Sequence, residues 1–253
     1  MLEDISEIRI GILGTGRLGK ALAKVLGEHY KVFGWDVNIK KAKQVTKQCN
    51  VNFVPDLQQV LMSDLVLLCI PADEVIMFFR NLPADETYRC VFLNLATDID
   101  TRSMTEELKL HRLRVIGLKP IGQFAAMRHR VPTTFVTSHE DPEDLRILRK
   151  VFAPIGNICI GDELHVRAIN RVATKLALQF CVNFESAIQP CAEDLEWSVS
   201  ALKSVAVGTM LDYPPDSNNA YIASILREIA ENTLAARPEL SEPDHSAAVE
   251  VGQ

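Results

Sequence analysis

An apolar run, Ile8-Arg9-Ile10-Gly11-Ile12-Leu13, leads directly into Gly14-Thr15-Gly16-Arg17-Leu18-Gly19, and this junction restricts the fold more than any other stretch of the chain. The run is β-branched and apolar, as a strand buried on both faces requires. Leu18, Ala21, Leu22, Val25 and Leu26 then recur at helical spacing. A second β-rich segment, Lys31-Val32-Phe33-Gly34-Trp35, ends in Asp36. The order strand, glycine turn, helix, strand and acid is the context in which G-x-G-x-x-G binds a dinucleotide. Gly14 allows the tight turn, Gly16 removes a side chain where pyrophosphate approaches, and Gly19 lets the helix pack closely on the strand. The phosphates would meet the free N–H groups and positive dipole end of a helix beginning near Arg17. Thr15 and Leu18 complete the turn.

Asp36 bears on the choice of cofactor. A carboxylate ending the second strand accepts hydrogen bonds from ribose hydroxyls and repels a 2′-phosphate, which favours NAD over NADP. Arg17, Asn38, Lys40 and Lys41 keep NADP open, since a nearby cation could hold that phosphate.

Beyond Asp36 helical and strand patterns alternate. Helices are expected at 40–48, 56–62 and 73–80, and strands at 51–53, 65–70, 90–95 and 114–118. Leu65-Val66-Leu67-Leu68-Cys69-Ile70 is continuous apolar sequence between Asp64 and Pro71, a central strand. Ser103-Met104-Thr105-Glu106 has the capping-box pattern and predicts a helix start. A strand at 133–137 is followed by Asp141-Pro142, an N-cap and a first-turn proline for a helix to about Phe152, then a strand at 157–160. Such alternation implies an α/β fold with a doubly wound parallel (Rossmann) sheet over residues 1–160.

The texture changes after Asp162. Residues 164–188 lack proline and glycine and are apolar around most of the helical circumference, so the helix must be covered on several sides. The remaining chain is short for that task. A smaller all-helical dimerisation domain over 161–237 is therefore expected, with a homodimer through this helix. Further helices are expected near 193–210 and 218–236, joined by Tyr213-Pro214-Pro215-Asp216, with a mobile tail over 238–253.

Composition narrows the partners. A net charge of −6 over 253 residues, without a basic cluster, disfavours nucleic acid. No long uncharged apolar run suggests a membrane span, and Glu3, Asp4 and Glu7 do not suit a signal peptide, so a cytoplasmic setting is expected. The six cysteines form no C-x-x-C pair, fit neither a zinc site nor a disulfide framework, and are read as reduced thiols; no metal is expected.

These motifs together resemble the 6-phosphogluconate-dehydrogenase-like NAD(P)-binding superfamily. The features that carry the resemblance are the N-terminal G-x-G-x-x-G, Cys69-Ile70-Pro71 closing the fourth strand, a further βαβ extension and the helical C-terminal part. In layout the chain is similar to pyrroline-5-carboxylate reductases, prephenate dehydrogenases and deazaflavin-dependent NADP reductases. The resemblance implies that Ile70, Pro71 and Ala72 border the ribose and nicotinamide, with Asn94 and Ala96 in the corresponding place on the fifth strand. Leu118-Lys119-Pro120-Ile121-Gly122 departs from the Met-Pro-Asn motif of the reductases and the His-Pro pair of the dehydrogenases.

Three residues are candidates for catalysis. Lys119, at a strand end on the cofactor side, could bind a substrate carboxylate or protonate a carbonyl oxygen; the alternative is an exposed lysine without a role. Lys175, with Asn170 before it and Gln179 after it, resembles the lysine and amide of β-hydroxyacid dehydrogenases. Arg171, Lys175 and Gln179 share a helix face, with Thr174 beside them. His165 is a reserve acid–base group, and Arg128 and Arg130 could clamp an anion or be solvated. The expectation is an NAD(P)-dependent oxidoreductase transferring hydride between nicotinamide and a small, anionic keto, hydroxy or imino acid. A prephenate- or arogenate-type dehydrogenase and a non-catalytic NAD(P)-binding regulator are the alternatives.

Overall fold

The computed structural model describes residues 7–49, 51–83, 87–190, 195–211 and 220–235. The chain divides into two units, 1–176 and 177–253. In the first, strands β1 (Arg9–Leu13), β2 (Lys31–Trp35), β3 (Asn52–Phe53), β4 (Leu65–Leu68), β5 (Val91–Asn94) and β6 (Arg114–Gly117) form one parallel sheet in the order β3-β2-β1-β4-β5-β6. Helices α1 (Arg17–Leu26), α2 (Ile39–Gln48), α3 (Leu57–Leu61), α4 (Ala72–Asn81) and α5 (Thr101–Glu107) make the crossovers. The order reverses between β1 and β4, so a crevice opens beyond their carboxyl ends.

The sheet is two-faced because successive strand side chains alternate. Ile10, Ile12, Leu65, Leu67 and Leu93 enter a core with Ala21, Leu22, Val25 and Leu26 of α1. Leu13, Val66, Leu68 and Phe92 enter the opposite core with Val60, Val75, Phe79 and Met104. Phe78, Phe79 and Phe92 meet edge to face there, with centroids 5.2–5.9 Å apart. Register aligns Leu13 with Trp35 and Leu68, Leu68 with Asn94, and Asn94 with Gly117, so these strands end in a single row. The residues that follow form the rim of the crevice.

The sheet expected over 1–160 in fact ends at Gly117. Strands β7 (Lys119–Ile121), β8 (Thr133–Thr137) and β9 (Gly156–Ile160) form a second sheet, β7-β8-β9, antiparallel and then parallel. Pro120 suits the edge position of β7, where a missing N–H costs no ladder bond. Neither β7 nor the short helix α6 (Phe124–Arg128) was expected. Helix α7 (Pro142–Phe152) begins as its sequence predicts, with the Asp141 carboxylate accepting from Glu143 N and Asp144 N.

Helix α5 begins earlier than the capping-box pattern implied. Asp100 is its N-cap, accepting from Ser103 N at 2.7 Å, and Ser103 lies inside the helix. A carboxylate reaching an N3 amide competes effectively with a serine three positions on, and Glu106 instead meets Arg102 at i, i+4.

Helix α8 spans Leu164–Ile188, the bounds read from its lack of proline and glycine. Its apolar side chains Ile169, Val172, Leu176, Leu178 and Val182 are left exposed by the chain's own residues. The second unit continues with α9 (Leu195–Ser200), a π-helical segment (Ala201–Ala206), α10 (Val207–Leu211) and α11 (Ala220–Ala235). The expected single helix over 193–210 is thus divided by a π-helical stretch. The connection at 213–216 and the tail from 238 lie outside the described residues. No helix among the described residues is long and apolar enough to cross a membrane.

Candidate dinucleotide and substrate site

The three glycines of the turn meet different surroundings, and Gly14 and Gly19 serve the tight turn and the close packing expected of them. Gly14 has φ +94°, which an L-residue rarely adopts, and a Cβ there would meet Cys69 O at 2.7 Å. A Cβ on Gly19 would stand 2.0 Å from Gly14 O. A Cβ on Gly16, by contrast, would have no atom within 4 Å. Gly16 is therefore not needed for packing. Its bareness leaves open space at the N-terminus of α1, where amide N–H groups and the dipole favour an anion.

Two cavities flank this turn and share Arg17, Cys69, Ile70 and Pro71. The larger, about 820 Å³, extends over β2 and includes Trp35, Asp36, Leu57, Glu74 and Met77. The other, about 520 Å³, lies over β4 and β5 and includes Leu95, Ala96, Thr97, Asp98, Pro120, Gln123, Phe124 and Asn170. Both volumes fall in the range of small-molecule sites. A dinucleotide laid across the pair would put its pyrophosphate at Gly14–Arg17, one nucleoside toward Asp36 and the other toward Leu95–Asp98.

Asp36 is buried and first serves the turn itself. One carboxylate oxygen accepts from Thr15 N at 2.7 Å and Thr15 Oγ1 at 2.8 Å, and the other from Asn38 N at 2.9 Å. The β2 acid thus fixes the glycine loop while lining the larger cavity. Among the described residues lining that cavity, Asp36 and Glu74 are the acids and Arg17 the cation. Arg17 lies 5.1 Å from the Phe124 ring centroid, a cation–π contact that holds it at the junction. Lys40 does not line the cavity. Ile70 and Pro71 stand between the two cavities, with Pro71 capping α4.

Within one chain the candidate catalytic residues Lys119, Asn170 and Lys175 have different surroundings. Lys119 is fully buried, neither a surface lysine nor a group lining the cleft. Its Nζ donates to Ala96 O at 2.7 Å and lies 3.6 Å from Glu163 Oε2. Burial pushes its ammonium down to about 8, against the opposing pull of Glu163 and Asp100. Asn94 is also fully buried and does not reach the cleft; its Nδ2 donates to Thr101 Oγ1 and its Oδ1 accepts from Ala96 N.

Asn170 does line the cleft. Its amide bridges Pro120 O at 2.9 Å and Gly122 N at 3.2 Å. Lys175 is exposed on α8 and lines neither cavity. Five residues of α-helix turn it about 140° from Asn170, so the two cannot face one site within this chain. Arg130 pairs with Glu28, Arg128 lies over Phe124, and His165 is exposed near Asp162. Thr97, Asp98 and Gln123 line the cleft without having been expected, and Arg167 pairs with Asp98 at 3.0 Å. Arg167 and Asn170 at i, i+3 were the available signal, masked by the more conspicuous Arg171–Lys175–Gln179 stripe.

Comparison with known proteins agrees with this architecture. The family described as "NADP oxidoreductase coenzyme F420-dependent" matches residues 9–91. Pyrroline carboxylate reductase of Plasmodium falciparum, solved with NADP bound, superposes with a TM-score of 0.67 at 13% identity, covering 92% of this chain and 93% of that one. The Streptococcus pyogenes 1-pyrroline-5-carboxylate reductase gives 0.67 at 12% identity over 91% and 92%. The 3-hydroxyisobutyrate dehydrogenase of Mycobacterium tuberculosis gives 0.55 at 18% identity over 78% and 71%. No curated protein matches the chain by sequence. The structural likenesses establish the fold, an N-terminal parallel sheet with helical crossovers followed by further helices.

Proposed function

We propose that the chain is an NAD(P)-dependent oxidoreductase that transfers hydride between nicotinamide and a small keto, hydroxy or imino acid. The observation that carries this reading is the open space over Gly16, set between two cavities that meet at Arg17, Ile70 and Pro71. The names of the matched family and of the structural neighbours support the same class. The nicotinamide ring would supply the hydride chemistry. The chain orients the two nucleoside halves, keeps water from the β4–β5 side with Leu95, Ile70 and Phe124, and offers Thr97 and Asn170 to a substrate. Asp36 and Glu74 in the larger cavity favour NAD over NADP by repelling a 2′-phosphate, while Arg17 keeps NADP accessible.

A homodimer through α8 is part of the proposal, supported by exposed Ile169, Val172, Leu176 and Val182. A cytoplasmic setting is supported by the free cysteines, with burial pushing the Cys69 and Cys90 thiols up to about 12. Incubation with NADH or NADPH and a panel of keto and imino acids, read by nicotinamide absorbance, tests the activity. Loss of absorbance with at least one acid is expected. Tight NADH binding without turnover on any substrate would favour the second reading, a non-catalytic NAD(P)-binding regulator. One observation supports that alternative: among the described residues lining the cleft there is no lysine or histidine.

A further inference from the structure

We infer that Lys119, buried behind the β4–β5 cavity, is a positioning residue that sets the cofactor's nicotinamide-side wall by holding the backbone of Ala96. The inference rests on the dinucleotide reading above. Ala96 lies in the segment after β5 that lines the cavity together with Leu95, Thr97 and Asp98. Both of its backbone polar atoms are held from beneath by buried side chains. Its N–H donates to Asn94 Oδ1 at 3.1 Å, and its carbonyl accepts from Lys119 Nζ at 2.7 Å.

These two side chains belong to one closed network. Asn94 Nδ2 donates to Thr101 Oγ1 at 3.0 Å, Thr101 Oγ1 donates to Glu163 Oε2 at 2.8 Å, and Glu163 Oε2 lies 3.6 Å from Lys119 Nζ. Ser138 Oγ donates to the other carboxylate oxygen at 2.9 Å. Asn94, Thr101, Lys119 and Glu163 are all at least nine-tenths buried. Four separate segments, the ends of β5 and β7, the first turn of α5 and the residue before α8, thus meet behind one loop.

An apolar side chain would fill the Lys119 site without desolvating an ammonium. What the lysine adds is a charged hydrogen bond to one carbonyl, whose position fixes Leu95 to Asp98. A second tie acts on the same wall from α8, where Arg167 holds Asp98 at 3.0 Å. The consequence is specific to the nicotinamide half, because Leu95–Asp98 line that cavity and not the adenosine cavity, which adds Trp35, Asp36 and Glu74 to the residues the two share.

Calorimetric titration of the intact protein with ADP-ribose and with NADH separates the two halves. Lys119→Met is expected to leave the ADP-ribose Kd within about twofold, while the advantage of NADH over ADP-ribose shrinks by about tenfold, the worth of one charged hydrogen bond. Thr101→Val, an isosteric change that opens the network at Asn94 and Glu163, is expected to shift the same ratio in the same direction and stands in if Lys119→Met does not fold. Equal weakening of both ligands in both variants, or an unchanged ratio, would overturn the positioning role. Failure of the unaltered protein to bind ADP-ribose would overturn the dinucleotide reading itself.

Discussion

Gly16 and Gly19 stand three residues apart in the same turn, and substituting each by alanine should have opposite consequences. At Gly16 the backbone has φ −64° and ψ −162°, open to any L-residue, and the new methyl meets no atom within 4 Å. The N-cap loses a few tenths of a kcal/mol and the unfolded chain loses a similar amount of entropy, so stability should hold within ~0.5 kcal/mol. For a chain of this size that is a change of about 2 °C or less in Tm. The methyl nevertheless occupies the space over the α1 N-terminus. Displacing a pyrophosphate from two charge-assisted N–H bonds costs ~3 kcal/mol, a weakening of Kd by about 100-fold. At Gly19 the methyl would stand 2.0 Å from Gly14 O and 3.3 Å from Cys69 Cβ, and a backbone carbonyl in a tight turn has little room to yield. That overpacking should cost ~1–3 kcal/mol and lower Tm by several degrees. Scanning calorimetry with titration of ADP-ribose measures both effects. A Gly16→Ala protein that binds ADP-ribose as tightly as the unaltered one, or melts as low as Gly19→Ala, would refute the reasoning.

Other outcomes follow from the same geometry. Asp36→Ala removes the acceptor for Thr15 N and Oγ1, so it should cost ~1–3 kcal/mol in chemical denaturation and narrow any preference for NADH over NADPH. Lys119, whose ammonium burial lowers from 10.5 to about 8, is released from its proton in the folded chain over a range where the unfolded chain still holds it. Its contribution to stability should therefore rise with pH from about 8 to 10.5, by up to ~3 kcal/mol. Urea denaturation of the unaltered protein and Lys119→Met across that range measures this, and a pH-independent difference would contradict it. Lys175→Ala should leave nucleotide Kd unchanged within about twofold, since the side chain lines neither cavity. Leu176→Asp, on the exposed apolar side of α8, should halve the mass measured by light scattering if the chain dimerises there.

Much of the glycine turn was legible because its determinants are contiguous. Gly14, Gly16 and Gly19 act on one another and on the strand they leave, and the alternation around them announced the sheet. The start of α7 was readable for the same reason, since Asp141 caps residues two and three places away. The misreadings arose where a pattern had a stronger neighbour or a distant partner. Ser103 yielded the cap to Asp100, and β7 paired with β8 rather than extending the parallel sheet beyond β6. Asn94 was correctly placed at a strand end, but strand parity alone did not tell that its amide turns inward to Thr101. Lys175 stood out as a cation in an apolar helix, yet helical rotation sets it away from Asn170.

Local chemistry in the sequence settled that the chain builds a strand, a glycine turn and a helix with an acid at the next strand end, because those contacts span few residues and depend on backbone freedom. Tertiary structure decided what lies on either side of that turn. It buried Lys119 against Ala96 and Glu163, gave Asp36 to Thr15, and brought Asp98 and Asn170 to the cleft. Those fates depend on which segments, far apart in the chain, are packed together by the two sheets. The energy of a buried charge is set by those neighbours rather than by its place in the sequence.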